Sequence, residues 1–313
     1  ENSLEKVALV GLGNLGSRHL QGLVHCQRPL EISLLDPSEA AVNVAVERWG
    51  EAGGNDSPHR IADGTADRYD IAIIATTADH RAKAIASLID NASVAQWLVE
   101  KPLAQSLADL DAIEASIQQK AWVNLVRRAI PWHQEIAADI RAVAGPKQVV
   151  IKGGAWGLAG NALHFSDMVR WWTGSELENV ETSGLDGGWH ESKRPGYSEV
   201  FGTLDLTYAD GSTLRLISDP ELGPHSIRVE TQDGSFRVEE KQGVLTRPEG
   251  TTLDGRMAFQ SELTGGVVGA ILDQGTCALP TLPEIAALER TLLPAMIAHR
   301  EAHGGPVGRL DVT

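Results

Sequence analysis

Residues 7–20 read VALVGLGNLGSRHL, and this stretch decides the fold. Four apolar residues run into Gly11, and a helix-forming stretch follows from Asn14 to Val24. Gly11, Gly13 and Gly16 thus stand in G-x-G-x-x-G spacing between a strand and a helix. Gly11 permits the tight bend. Gly13 lets backbone amides approach a pyrophosphate, and Gly16 lets the helix pack on the strand. The helix N-terminus then faces the anion, with Asn14 and Leu15 beside it. A second apolar run, Ile32 to Leu35, closes at Asp36-Pro37. An acid in that position binds both hydroxyls of an adenine ribose and repels a 2′-phosphate. NAD is therefore expected ahead of NADP. Arg18 and His19 follow Gly16 and read as a solvated helix face.

Outward from this turn, strands alternate with helices. Ser38 caps a helix. Ile71 to Ala75 is a uniformly apolar strand, as in a parallel sheet buried on both faces. Asp79 to Ile89 reads as a helix with Asp79 as N-cap, Trp97 to Val99 as a strand, and Ser106 to Gln119 as a helix. This alternation predicts an α/β fold that begins with a doubly wound parallel sheet, a Rossmann domain. After Val123 the pattern changes. Ala129 to Val143 reads as a helix, and strands of mixed polarity follow from Lys147. Asp210-Gly211 and Asp233-Gly234 mark hairpin turns. A helical insert covers Asn161 to Thr173, and two helices, Phe259 to Asp273 and Pro283 to His299, close the chain. The expected division is a dinucleotide-binding domain over 1–124. A C-terminal α/β domain over 125–313 would carry a large, mainly antiparallel open sheet, for substrate binding and oligomerisation.

The bulk numbers narrow the class. With 313 residues, 42% of them hydrophobic, the chain exceeds a single core. A formal net charge of −15 argues against nucleic acid and anionic membrane as partners. Cys26 and Cys277 are the only cysteines, too few for a disulfide framework or a metal cluster. No stretch is apolar enough to span a bilayer, and ENSLEK carries no targeting pattern. A cytoplasmic enzyme is expected.

Four segments in order, GLGNLGSRHL, IIATTADH, VEKPL and LHFSDMVRWWTG, resemble the Gfo/Idh/MocA family of NAD(P)-dependent oxidoreductases. The tail CALPTLPEIAALERTLLPAMIAH resembles the last helix of that family. The resemblance implies a Rossmann domain and a second α/β domain whose open sheet supports a homo-oligomer, a dimer or tetramer. It implies that Lys101 lies beside the nicotinamide and contacts the substrate oxygen. Pro102 would fix the turn as a cis peptide, and Glu100 would orient the lysine or line the cofactor site. Independently, a lysine at the carboxyl end of a parallel strand opens into the crevice where such sheets bind ligands, and can polarise a carbonyl. His164 resembles the histidine that moves the hydroxyl proton. Asp167, one turn on, would orient it or bind a substrate hydroxyl. Many members carry an aspartate one turn before this histidine. Here Gly160 stands in that place, with Asn161 next to it as a positioning amide.

Lesser candidates complete the set. By resemblance, Thr76 contacts the cofactor, and Arg128 (beside Arg127) binds a substrate carboxylate or phosphate. Trp156 and Trp189 read as candidates for stacking on a sugar ring. Trp171-Trp172 reads as helix packing. His299 and His303 have i,i+4 spacing but no third ligand, so no metal is expected. The overall reading is hydride transfer between nicotinamide and a hydroxyl or keto carbon of a sugar, polyol or related substrate. The same scaffold also admits a C=N reductase, a redox-neutral enzyme with bound NAD, or a non-catalytic NAD(P)-binding sensor.

Overall fold

The computed structural model describes residues 4–313; residues 1–3, the start of ENSLEK, lie outside the described residues. The chain divides into two compact units. The first holds residues up to Ala104, Ala108–Ala129 and Ala258–Glu284. The second holds Gln105–Leu107, Ile130–Met257 and Ile285–Thr313.

The first unit is built on strands β1 (Glu5–Val10), β2 (Leu30–Leu35), β3 (Arg60–Ile61), β5 (Ile71–Ile74), β7 (Gln96–Val99) and β8 (Lys120–Val123), in the order β3-β2-β1-β5-β7-β8. All neighbours pair in parallel. Two short strands, β4 (Arg68–Tyr69) and β6 (Ser93–Val94), form a separate parallel pair. The helices are α1 (Asn14–Leu23), α2 (Glu39–Glu51), α3 (Ala78–Asn91), α4 (Leu107–Ser116) and α7 (Gln260–Gln274), although α4 begins on the last residue of a segment assigned to the second unit. Ser38 caps α2 as its sequence predicts, accepting from the Ala41 N–H. Asp79 is not the cap of α3. Thr77 holds that position in extended backbone, and Asp79 lies within the first turn.

The core of this unit joins Val7, Leu9, Leu20, Leu23, Ile71, Ile73 and Leu98 with Val268 and Ile271 of α7. Each such side chain contributes about 1.5–3 kcal/mol on burial. Helix α7 packs directly on α1. A Cβ on Gly265 would fall 2.6 Å from the Gly22 carbonyl oxygen, so the approach requires glycine there.

The second unit carries a mixed sheet. Its strands are β9 (Gln148–Gly153), β10 (Leu177–Glu181), β13 (Gly202–Tyr208), β14 (Thr213–Ser218), β15 (Ser226–Thr231), β16 (Gly234–Glu239), β17 (Val244–Thr246) and β18 (Thr252–Asp254). They lie in the order β10-β13-β14-β9-β15-β16-β17-β18. Only β14 and β9 pair in parallel; the other neighbours are antiparallel. Strand β14 alternates exposed Thr213 and Arg215 with buried Leu214 and Leu216, which marks one solvated and one covered face. Helices α5 (Pro131–Ala142) and α6 (Leu158–Thr173) pack on each other, and α6 lies on β14. A small hairpin, β11 (His190–Glu191) and β12 (Ser198–Glu199), stands apart from the sheet and contacts α6. Helix α6 starts three residues before the expected Asn161, because Gly157 bends the chain into it with φ of 77°. The final helix α8 (Leu282–Ala302) runs on past the expected His299.

Candidate functional site

The glycine turn forms as its spacing dictates. The Gly11 N–H donates to Leu35 O, which ties the turn to the end of β2. A Cβ on Gly16 would meet Gly11 O at 1.8 Å, so helix and strand close on a glycine. A Cβ on Gly13 would meet nothing within 4 Å. Gly13, Asn14 and Leu15 are exposed at the mouth of the turn. Asp36 accepts the Leu12 N–H at 2.6 Å on Oδ2 and the Ser38 N–H at 2.8 Å on Oδ1. The carboxylate therefore shapes the turn itself, and each oxygen keeps a lone pair for a further donor. A cavity of about 540 Å³ opens beside it, lined by Val10, Asp36, Pro37, Ala66, Leu88 and Asn91 among others.

Register places the next groups. Val10 pairs with Ile74, and Ile74 with Val99. Leu12, Thr76 and Lys101 each follow their strand partner by two residues, so all three stand at the same carboxyl edge of the sheet. Thr76 Oγ1 is buried without a hydrogen-bond partner. Lys101 is half-buried and is joined to Pro102 by a cis peptide, as the VEKP word implied.

Behind this edge lies a polar core. His19 is not on a solvated face; it is fully buried. Its Nε2 lies 2.7 Å from Glu100 Oε1 and its Nδ1 3.0 Å from Thr264 Oγ1. Position 19 follows Gly16 by three, so it shares the face that packs inward, and α7 covers it. Asn124 Nδ2 donates to Glu100 Oε1 and, at 2.8 Å, to Gln260 Oε1. Burial pushes the Glu100 carboxyl up, but His19, Asn124 and Arg81 outweigh it and hold the group below its ordinary range. Arg81 was missed in the sequence. Its buried guanidinium donates to Thr76 O and, at 3.5 Å, to Leu103 O, and so ties together the loops that carry Thr76 and Lys101. Its signal was legible: it lies on the Ala78, Ile85, Leu88 face of α3.

In the second unit, His164 is half-buried on α6 and Asp167 is 2% exposed. Asn161 spends its amide hydrogens on Trp156 O and Gly157 O, at 3.0 and 2.9 Å. Gly160 lacks a side chain, and the Glu199 carboxylate from β12 lies over it. The Ala159 and Gly160 N–H groups donate to Glu199 at 2.8 and 2.9 Å. Trp156 packs edge-on against Phe165 and donates through Nε1 to Ile217 O. Trp189 donates to His299 Nδ1, with the Arg300 guanidinium over its ring. Both indoles are thus already engaged, and Trp172 is buried at 2% exposure. Arg127 is buried in the 3-10 turn after β8 and Arg128 is half-buried beside it. Among the described residues no group of three or more ligating side chains could hold a metal ion.

Residues 5–126 match the oxidoreductase family GFO_IDH_MocA, described as an NAD-binding Rossmann fold. The chain carries the NAD-binding Rossmann domain of the Gfo/Idh/MocA oxidoreductases. Solved structures extend the likeness of fold over nearly its whole length. Myo-inositol dehydrogenase from Lactobacillus casei, in complex with NAD(H) and myo-inositol, superposes with a TM-score of 0.66 at 13% identity, over 96% of each chain. Aldose-aldose oxidoreductase from Caulobacter crescentus gives 0.68 at 15% identity, over 96% of this chain and 98% of that one. UDP-N-acetylglucosamine 3-dehydrogenase from Acidithiobacillus ferrooxidans gives 0.66 at 16% identity, over 94% and 96%. No curated protein matches the chain by sequence.

The residues of this Gfo/Idh/MocA domain fit NAD. Gly13 leaves open space at the helix N-terminus where a phosphate requires it. Asp36 borders a cavity within the size range of small-molecule sites. Thr76 Oγ1 is a buried hydroxyl that still lacks a partner. Leu15, an apolar side chain beside the turn, is 37% exposed.

Proposed function

We propose that this protein is an NAD-dependent oxidoreductase acting at a hydroxyl or keto carbon of a sugar, polyol or sugar-derived substrate. The reading is carried by one observation: Lys101 stands at the carboxyl edge of the parallel sheet, in the same register as the glycine turn and Thr76. The inositol and sugar dehydrogenases of like fold support the substrate class. Bound NAD supplies the hydride acceptor for the carbinol carbon. Gly11, Gly13 and Gly16 bind its pyrophosphate at the start of α1, with Asn14 and Leu15 alongside, and Asp36 takes the ribose hydroxyls. Thr76, Glu100 and Pro102 shape the edge toward the nicotinamide, Glu100 from behind the lysine.

The Lys101 ammonium donates a hydrogen bond to the substrate oxygen and stabilises the negative charge that grows on it as the hydroxyl proton leaves, before that charge collapses into the carbonyl bond. The His164 imidazole accepts the hydroxyl proton, and in the reverse direction returns it to the carbonyl oxygen. Asp167 holds that imidazole from one helical turn away, Asn161 sets the loop before α6, and Arg128 meets an anionic substituent of the substrate.

The test is NADH formation over a panel of inositols, sugars and sugar acids, with wild type and Lys101→Ala. Loss of an electrostatic donor of this type costs about 10²–10³ in turnover. Lys101→Ala that stays within a few-fold of wild type would overturn the assignment.

A further inference from the structure

Gly160 and His164 lie at i and i+4 on α6, and so on one face of it, and Gly157 is the N-cap residue just before the helix. The two glycines carry no side chain, and the space they leave is filled from elsewhere. An ideal Cβ on Gly160 would sit 2.8 Å from Glu199 Oε1, and one on Gly157 3.0 Å from the same oxygen. Glu199 reaches this place from β12, 39 residues along the chain. It is held there by the Ala159 and Gly160 N–H groups. Side chains on a helix lean toward its N-terminus, so the patch that His164 covers lies over the turn that begins at Gly160. That is the turn on which the Glu199 carboxylate rests.

We propose that Glu199 is a second positioning carboxylate of His164 beside Asp167, supplied by the β11–β12 hairpin at the turn before His164, where α6 carries no side chain. The inference rests on the reading of His164 as the proton-transfer group. Two features of the site favour an electrostatic role over capping alone. The first is its place: Glu199 Oε1 occupies the space that the missing side chains of Gly157 and Gly160 leave open, on the turn before His164. The second is its protonation behaviour. Burial raises the Glu199 carboxyl, against the lowering by the backbone amides of Gly160, Ala159 and Val200 and by His190. The group therefore titrates nearer to the working range of an imidazole than an exposed glutamate does. His190 pairs with Glu199 across the hairpin and is the titratable group that faces it. Arg300 and Asp311 are engaged with the adjacent Ser198. Asp167 is the acid one turn beyond His164 on the same helix.

The experiment follows the His164 imidazole by NMR titration, and the pH–rate profile, in wild type, Glu199→Gln, Glu199→Ala and Glu199→Ala/Gly160→Asp. An adjacent anion favours the imidazolium, so Glu199→Gln lowers the His164 pKa and moves the acid limb of substrate oxidation to lower pH. Turnover falls by about 10–100-fold with KM nearly unchanged. In the double variant the carboxylate returns on the helix itself. Once Glu199 is truncated, a Cβ at position 160 meets nothing closer than Thr313 O at 3.9 Å. The His164 titration then returns toward wild type, relative to Glu199→Ala alone. Gly160→Asp by itself puts a Cβ 2.8 Å from Glu199 Oε1, so Glu199 is displaced and the His164 titration moves as in Glu199→Ala unless the new carboxylate replaces it. A capping role lowers the melting temperature of Glu199→Gln but leaves the His164 titration in place, and that result overturns the proposal. Should wild type bind NAD yet turn over no polyol while the titration still shifts, the oxidoreductase reading fails and the Glu199–His164 coupling stands.

Discussion

The Nε2 of His19 lies 2.7 Å from Oε1 of Glu100, and neither side chain is open to solvent. The residue before Lys101 is thus anchored to the helix that follows the glycine turn. The two motifs that define the domain share one buried hydrogen-bond network, completed by Asn124, Gln260 and Thr264.

Breaking this network leaves a buried carboxylate short of a partner. His19→Ala is expected to cost about 3 kcal/mol in denaturant unfolding. The pH dependence follows from the sign of the Glu100 shift. Its folded pKa lies below its unfolded value, so its stabilisation is present above about pH 4.3 and is lost as pH falls through the folded value. Glu100→Gln should therefore show a shallower loss of stability in acid than wild type. Equal acid slopes would contradict this.

Gly13 and Gly16 should separate binding from folding. A methyl at Gly13 meets open space, so Gly13→Ala should melt within about 1 kcal/mol of wild type. The same methyl stands where the pyrophosphate approaches, and NAD affinity should fall at least roughly tenfold by calorimetry. Gly16→Ala drives Cβ into the Gly11 carbonyl and should lose both stability and binding. A Gly13→Ala protein that binds NAD normally would remove the phosphate from this turn.

Asp36 holds the turn through Leu12 and Ser38, and substitution tests the ribose contact proposed for it as well. Asp36→Ala frees the Leu12 and Ser38 N–H groups and removes the ribose acceptor. NAD affinity should fall by about 1.5–3 kcal/mol, the value of charge-assisted bonds. The ratio of kcat/KM for NADP over NAD should rise. An unchanged ratio would show that Asp36 serves the turn alone.

Burial pushes the Cys277 thiol up to about 11, with only the Leu279 backbone opposing it. Its thiolate fraction at pH 8 is then about 0.1%. Alkylation in the folded protein should run roughly 100-fold slower than for a free cysteine. Cys26, at 4% exposure in the α1–α7 core, should be slower still because the reagent cannot reach it.

What the sequence made legible was local. The glycine turn, Asp36 and the strand ends at Val10 and Val99 read directly, and that of the third strand to within one residue (Ala75 for Ile74), because their geometry depends on neighbours a few residues away. His19 did not. Its helix face is decided by α7, which returns 245 residues later to place Thr264 against the ring. Arg81 and Glu199 were hidden for the same reason: each is defined by backbone atoms of another segment. Gly160 looked like a loss from the sequence alone. In the fold its empty Cβ position is occupied.

The return of α7 has a consequence for how this protein can be cut or rebuilt. The dinucleotide-binding unit is completed by residues 258–284, while residues 130–257, which belong with 105–107 and 285–313 to the second unit, stand between its parts in the chain. A fragment ending at Ala129 would expose Leu20, Leu23 and Cys26 to water and strip His19 and Asn124 of Thr264 and Gln260. A sound excision instead joins the segment before Ile130 to Ala258–Glu284 and ends there, so that 130–257 and 285–313 of the second unit are both left out while both sides of the α1–α7 packing are kept.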